Sequence, residues 1–187
     1  MRSNLLSRAA SQAAALTAAV ILLGLPAGAS ALPALGARVP DAVVPDPDGK
    51  PLDTRALRGR SALLIYEDER SASQNATLKA SIEELAQDAR YRAAVAVAAV
   101  ADVSAYAGWP LRGSAEDAIR ARSRDAGVAI YCDWDGAFRR AYQLHAGLSN
   151  VLLIAPDGRV LFAAAGPLRQ EQRSRLLGLL ARQVHDR

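Results

Sequence analysis

Apolar and polar positions along this chain recur in two periods that predict a regular succession of strands and helices. Residues 61–66 and 93–103 are almost continuously apolar, and the second segment is rich in alanine and valine. A strand that is covered by helices on both faces has this pattern. Between the two segments, apolar residues recur at helical spacing and predict an amphipathic helix over 73–89.

The second half of the chain continues this alternation and closes with a hairpin and an amphipathic helix. The turn residues Pro156-Asp157-Gly158 predict an antiparallel pair of strands. Ser114 is expected to cap a helix that Gly127 ends. The other predicted elements are an extended segment over 38–44, a turn over 46–50, a helical turn over 53–57, a helix over 114–125, a strand over 128–132, a helix ending near 144, and strands over 150–155 and 160–165.

This order of elements predicts one α/β domain with a mixed, mostly parallel central sheet and helices on both faces. Strands that alternate with helices favour parallel pairing, because each helix carries the chain back across the sheet. The terminal hairpin then adds an antiparallel edge. At 187 residues the chain is long enough for a core that folds without disulfide bonds.

The beginning of the chain has the pattern of a secretory signal peptide. Arg2 and Arg8 make it positively charged, an apolar run follows over 13–25, and the small residues 29–31 form a cleavage site. The run is shorter than the ~20 residues of a membrane-spanning helix, and no basic cluster follows it. We therefore expect cleavage near Ala31, a periplasmic location, and no membrane anchor after cleavage.

This leader divides the chain and also accounts for part of its charge. The predicted parts are a signal peptide over 1–31, a linker over 32–37 and a folded domain over 38–187. The formal net charge of +4 includes Arg2 and Arg8 of the leader. The other basic residues are spread along the chain and form no stripe interleaved with aromatic residues, so we predict no nucleic-acid partner.

No cluster of residues has the spacing of a metal or cofactor site. The carboxylates at 67–69 are followed directly by Arg70, which favours a solvated loop. The two Asp-Gly turns, at 46–49 and 133–136, lack the downstream glutamate of a calcium-binding loop. We therefore predict neither a metal ion nor a cofactor.

Several short motifs follow one another in an order that is typical of one superfamily. The motifs are Val39-Pro40-Asp41, Asp48-Gly49-Lys50, Leu57-Arg58-Gly59-Arg60, Tyr142-Gln143-Leu144 and the hairpin over 151–160. Together they resemble the thioredoxin-like superfamily, in its extracytoplasmic peroxiredoxin and TlpA-type branch, over residues 38–184. This resemblance implies a thioredoxin-like fold.

A further motif narrows the resemblance. The chain has Asp133-Trp134-Asp135-Gly136-Ala137-Phe138, followed by Arg139, Arg140 and Tyr142. Within the superfamily this arrangement is similar to that of the YtfJ-like periplasmic proteins. The likeness implies a fold and a compartment, and it implies no mechanism.

The position at which thioredoxin chemistry requires a thiolate contains no cysteine. In that chemistry a helix N-terminus lowers the pKa of one thiol, and a second cysteine follows close by. Residues 69–74 of this chain, which precede the first predicted helix, are Glu-Arg-Ser-Ala-Ser-Gln. The cis-proline that the superfamily places opposite the dithiol corresponds by position to Ser149. The resemblance thus implies the framework without its redox pair, which argues against an enzyme.

Two functions remain open on this pattern. The first is a non-catalytic binding or scaffolding module of the cell envelope, with another envelope protein or a peptide as its partner. Its candidate surface at the ancestral active-site position consists of Glu69, Arg70, Ser71, Ser73, Gln74, Ser149 and Asn150.

The alternative is a residual thiol-redox role, as an oxidoreductase or a sensor, through Cys132. This residue is the single cysteine of the chain and lies at the end of the third predicted strand. No helix N-terminus immediately precedes it, and the neighbouring Asp133 and Asp135 are expected to raise its pKa. We expect a half-buried cysteine, and its accessibility decides between the two hypotheses.

Overall fold

The computed structural model describes residues 31–185. The predicted signal peptide therefore lies outside the described residues, except for Ala31 at its cleavage site. Within the described range, none of the helices combines the length and the apolar composition needed to cross a membrane.

The described residues form seven strands and five α-helices. The strands are β1 (Val43–Pro45), β2 (Pro51–Asp53), β3 (Ser61–Glu67), β4 (Val95–Asp102), β5 (Ile130–Asp133), β6 (Asn150–Ile154) and β7 (Val160–Ala165). The helices are α1 (Ala76–Leu85), α2 (Ala89–Ala94), α3 (Leu111–Ala126), α4 (Ala137–Ala141) and α5 (Gln170–His185). Two short 3₁₀ turns, Thr54–Leu57 and Ser104–Tyr106, precede β3 and α3 respectively.

The central sheet has five strands in the order β5-β4-β3-β6-β7. Strands β3, β4 and β5 are parallel, whereas β6 is antiparallel to β3 and β7 is antiparallel to β6. Strands β1 and β2 form a separate antiparallel pair. The predicted mixed sheet with an antiparallel edge is therefore confirmed.

The two faces of β3 contribute to two different cores, because successive side chains of a strand point to opposite faces. Leu63 and Ile65 pack with residues of α1, α2 and α5. Leu64 and Tyr66 pack with the β1–β2 pair and with Phe138 of α4. Helices therefore cover both faces of the sheet, as the continuous apolar run predicts.

The boundaries of several elements differ from the predicted ones. The helix predicted over 73–89 is divided into α1 and α2, because the Asp88 side chain accepts a hydrogen bond from the Arg90 N–H and begins a new helix. The strand predicted to begin at 93 therefore begins at Val95. Helix α3 begins at Leu111, so Ser114 lies inside it and does not cap it.

Gly113 lies inside α3 and Gly127 lies at its C-terminal end, so the two positions require different backbone conformations. Gly127 has φ of 63°, whereas Gly113 is helical, and a Cβ added at either position meets nothing within 4 Å. We expect Gly127→Ala to lower the free energy of unfolding by about 1 kcal/mol, because alanine is strained at positive φ. Gly113→Ala should raise it by about 0.5–1 kcal/mol. Urea denaturation measures both, and equal signs would contradict the assignment of the helix end.

Candidate functional site

A tight turn connects the end of β3 to the start of α1 and contains residues 69–74, where the superfamily resemblance implies a dithiol. The Ser71 side chain is fully buried, and its hydroxyl donates to Asp68 Oδ1 at 2.7 Å. The Ser71 N–H donates to the same oxygen at 2.8 Å, while the Asp68 N–H donates to Ser71 Oγ at 2.9 Å. Ser71 therefore shapes the turn from inside and presents no hydroxyl to solvent.

Ser149 lies opposite this turn, as the sequence comparison with the superfamily implies. Its hydroxyl donates to Glu67 Oε1 at 2.7 Å and accepts a hydrogen bond from Asn75 Nδ2 at 2.8 Å. Its N–H donates to Gln74 Oε1 at 3.0 Å. We call Glu67, Gln74, Asn75 and Ser149 the polar junction, since they join β3, the start of α1 and the start of β6.

The polar junction is saturated by further contacts around it. Asn75 Nδ2 also donates to the Gly166 carbonyl at 3.1 Å, and Asn75 Oδ1 accepts from the Leu168 N–H at 2.9 Å. The second oxygen of Glu67 accepts from Lys79 Nζ at 2.8 Å. Both side chains of the central Asn75–Ser149 pair are buried. The junction therefore holds its parts by matched donors and acceptors, which is what buried polar groups require.

The seven candidate surface residues divide into two groups. Glu69, Arg70 and Ser73 are exposed, and Gln74 is half-buried. The other three, Ser71, Ser149 and Asn150, are buried and cannot belong to a recognition surface. Asn150 closes the loop before β6, because its amide donates to the carbonyls of His145 and Leu148 at 2.8 and 2.7 Å. The prediction of a surface at these three positions is therefore wrong.

Glu67, Asn75 and Lys79 belong to the site but were not among the candidates from the sequence. Asn75 directly precedes α1, where an asparagine is typical of a helix cap. Its side chain makes no capping bond and instead reaches Ser149, Gly166 and Leu168. No local signal could have indicated these partners, because they lie far away in the sequence.

Cys132 lies on β5, away from the polar junction. Its side chain is buried, with 1% of its surface exposed, rather than half-buried as predicted. Burial raises the pKa of the thiol to about 11, and the charges of Glu116 and Asp46 contribute in the same direction. The direction agrees with the sequence prediction, but the main cause is burial, and the contributing carboxylates are Glu116 and Asp46 rather than Asp133 and Asp135.

Asp133 has a structural role instead. It is buried, and it accepts hydrogen bonds from the Tyr66 hydroxyl at 3.0 Å and from the Phe138 and Arg139 N–H groups at the start of α4. The rings of Tyr66 and Phe138 stack with centroids 6.1 Å apart, and Phe138 stacks on Tyr142 at 4.4 Å. Burial, followed by the charge of Asp133, raises the pKa of Tyr66. The hydroxyl therefore remains a donor to Asp133.

A cleft of about 690 Å³ opens beside the polar junction, between α1 and α3 and over β4. Its β4 wall consists mainly of small apolar side chains, including Val97, Ala99 and Ala101. Glu67, Asp68 and Glu69 lie at the end of the cleft where β3 ends. The Tyr106 hydroxyl donates to Glu69 there, which raises the pKa of Tyr106.

The donor groups of this region do not assemble into a metal site. Over residues 31–185, no group of three or more His, Cys, Asp or Glu side chains is placed to hold an ion.

Comparison with solved structures identifies the architecture. A structure assigned to the thiol:disulfide interchange protein DsbE of Chlorobium tepidum is similar, with a TM-score of 0.59 and 20% sequence identity over 81% of this chain and 98% of that chain. A thiol-disulfide oxidoreductase from Bacteroides fragilis has a TM-score of 0.57 and 19% identity over 77% of this chain and 99% of its own. The chain has a thioredoxin-like fold.

A third similar structure, the peroxidoxin BcpB of Mycobacterium tuberculosis, extends the likeness to the peroxiredoxin type. Its TM-score is 0.55, with 16% identity over 81% of this chain and 96% of that chain. No family model and no curated protein matches the sequence. At these identities the structural likeness shows the fold alone, and the chemistry of the site must be argued from its own residues.

The polar junction predicts a stability difference between two serines of the same region. We expect Ser149→Ala to lower the free energy of unfolding by about 1–3 kcal/mol, because buried groups of Glu67 and Asn75 lose their partner. Ser73→Ala, at an exposed position, should change it by less than about 0.5 kcal/mol. Urea denaturation followed by circular dichroism measures both variants. Equal effects would show that the junction does not stabilise the fold.

Burial of Cys132 predicts slow reaction of its thiol. A pKa of about 11, against an ordinary value of 9.0, lowers the thiolate fraction at pH 7.5 about 100-fold, and only the thiolate reacts. We expect iodoacetamide labelling of the folded chain to be at least about 100-fold slower than labelling in urea. Ser73→Cys in a Cys132→Ala background is the control and should react rapidly. Rapid native labelling of Cys132 with an apparent pKa below 8 would contradict the structure.

Proposed function

We propose that this chain is an exported, non-catalytic binding module of the cell envelope with a thioredoxin-like fold. The observation that carries the proposal is the polar junction, which ties Gln74, in the segment where the superfamily resemblance implies a dithiol, to Ser149, at the position of its cis-proline. The Ser149 hydroxyl is buried, donates its one proton to Glu67 and accepts from Asn75, so it has no free proton and no access to a substrate. Residues 69–74 contain no cysteine, and a serine such as the buried Ser71 forms no disulfide, so this region supports binding rather than thiol exchange.

The state of Cys132 supports the same proposal against the redox alternative. Thiol–disulfide exchange needs an accessible thiolate, whereas Cys132 is 1% exposed and has a pKa of about 11. Strand β4 separates β5, which carries Cys132, from the strand that leads into the ancestral active-site turn. An oxidoreductase or sensor role through this thiol would first require β5 to open.

Export and the narrower family are part of the proposal. The charged start, the apolar run and the small residues 29–31 support export to the periplasm. Similarity to the YtfJ-like proteins rests on the segment 133–138. Its residues Asp133 and Asp135 both bind backbone N–H groups of α4, so the motif supports a shared structure.

The exposed part of the ancestral site supplies a recognition surface for an envelope protein or peptide. Glu69 and Arg70 lie exposed on the turn. They offer charged contacts that the buried serines cannot offer. Charges at the rim of an interface affect the rate and the salt dependence of association. Changing them should leave the fold intact.

Affinity capture from envelope extract tests this proposal. We expect the protein and its Cys132→Ala variant to retain the same amount of the same partner. The double variant Glu69→Ala, Arg70→Ala should retain at least about tenfold less of that partner. The matched control is Glu84→Ala, Arg90→Ala, at exposed positions elsewhere. A partner that is released by dithiothreitol and lost with Cys132→Ala would overturn the proposal in favour of the redox alternative.

A further inference from the structure

The cleft beside the polar junction has the size and lining of a small-molecule site. Its volume of about 690 Å³ falls within the roughly 300–1,000 Å³ of ligand clefts, which are mostly apolar with a few placed polar groups. The apolar lining comes from three sides, and its members on β4, α1 and α3 include Val97, Ala99, Ala101, Ile82, Ala115 and Ile119.

The small side chains of β4 produce this cleft. Val97, Ala99 and Ala101 alternate along the strand, so they point to the same face of the sheet as α1. An alanine side chain ends at Cβ and does not reach the helix above it. Helix α3 accordingly has no buried residue, although it runs beside a sheet. Helices that pack closely on a sheet bury an apolar stripe.

The carboxylates at the end of the cleft differ in whether they form an ion pair. Glu67 is paired with Lys79 at 2.8 Å, and Asp102 is paired with Arg139 at 3.3 Å. Asp68 and Glu69 are hydrogen bonded to Ser71 and Tyr106 respectively, and within residues 31–185 no ion pair involves either carboxylate.

The remaining charged groups of the cleft lie on its helices. Lys79 and Glu83 are on α1, and Arg122 is on α3. Lys79 is already bound to Glu67 and to the Ala72 carbonyl. Glu83 and Arg122 have opposite charges, so they leave the cleft without a net positive end. Of the charged side chains that line the cleft, five are carboxylates and two are cations, so the lining is acidic even though Arg70 follows Glu69 on the turn.

We propose that this cleft binds a cationic amphiphile, a molecule with an apolar body and a positively charged amine head. The apolar body lies against Ala99 and Val97 of β4, and the head lies near Asp68 and Glu69. Apolar burial supplies affinity in such a site, whereas the carboxylates select the sign of the head group. An amphiphile with an anionic head meets like charges at the same place. This inference rests on the proposed binding function and specifies one ligand class for it.

Hydrogen bonds within the protein hold the carboxylates of Asp68 and Glu69 in place. The N–H and hydroxyl of the buried Ser71 both donate to the Asp68 carboxylate, and the Tyr106 hydroxyl donates to that of Glu69. Both carboxylates are therefore oriented before any ligand arrives, which lowers the entropy cost of binding.

Calorimetric titration of the purified protein tests the inference with two probes that share one alkyl chain. We expect dodecyltrimethylammonium, below its micellar concentration, to bind with one-to-one stoichiometry and at least about tenfold tighter than dodecyl sulfate. Glu69→Gln keeps an oxygen for Tyr106 and should weaken the cationic probe about three- to tenfold. Glu84→Gln, on α1 and outside the cleft lining, is its matched control and should have no effect.

Two variants that fill the cleft from opposite walls test the location. We expect Ala99→Leu on β4 and Ala115→Leu on α3 each to weaken the cationic probe at least about tenfold. Ala80→Leu, at an exposed position of α1 outside the lining, should leave it unchanged. Circular dichroism identifies any variant that fails to fold, and the variant on the other wall then decides.

The outcomes separate this inference from the proposed function. Equal binding of both probes, or binding that neither filling variant weakens, would overturn the cleft as a cationic-amphiphile site. Displacement of the probe by a lysine-containing apolar peptide that binds more tightly would assign the cleft to a protein partner instead. In each case slow Cys132 labelling and retention of an envelope partner would still support the binding module. Rapid Cys132 labelling would count against the module without any bearing on the titration.

Discussion

The buried hydroxyl of Ser149 lies between a carboxylate and an amide, and these two hydrogen bonds hold one end of the sheet together. Through Glu67 it meets the end of β3, and through Asn75 it meets the start of α1. Asn75 in turn binds Gly166 and Leu168 after β7. Burial of so many polar groups costs free energy unless each finds a partner. The partners are all present, so the region where a thioredoxin-like fold can place redox chemistry is a structural connection here.

The same connection determines the character of the neighbouring cleft. Glu67 belongs to both, because one of its oxygens binds Ser149 and the other binds Lys79 at the cleft wall. With Glu67 compensated, the turn formed around Ser71 leaves the carboxylates of Asp68 and Glu69 at the end of an apolar space. The polar junction and the apolar cleft thus lie on either side of the same turn. This arrangement is the physical basis for proposing a ligand rather than a reaction.

The segment over 133–138 has a structural role in this fold. Asp133 binds the Tyr66 hydroxyl and the first N–H groups of α4, and the stacked rings of Tyr66, Phe138 and Tyr142 pack behind it. Cys132 precedes this carboxylate on the same strand and is buried, and burial is the main cause of its raised pKa. The motif therefore accounts for the order of β5 and α4, and the cysteine within this segment gains no activation from it.

The sequence by itself determined the succession of strands and helices, the mixed sheet and the absence of a cysteine from residues 69–74. Those features follow from local periodicity and residue identity, which need no partner elsewhere in the chain. Local chemistry was insufficient where the outcome depended on a distant contact. Asn75 looks like a helix cap but binds Ser149 and Leu168, and Ser149 looks like an exposed loop serine but is buried.

The tertiary structure alone decided three further features. Cys132 is fully buried because β5 is covered on the side that it faces, which a strand pattern cannot show. Ser71 and Asn150 are buried because their turns fold inward on their own hydrogen bonds. The cleft exists because the alanines of β4 are too short to reach α3, a helix that lies beside them only in the folded chain. In each case the deciding quantity is a distance between segments that the one-dimensional pattern does not contain.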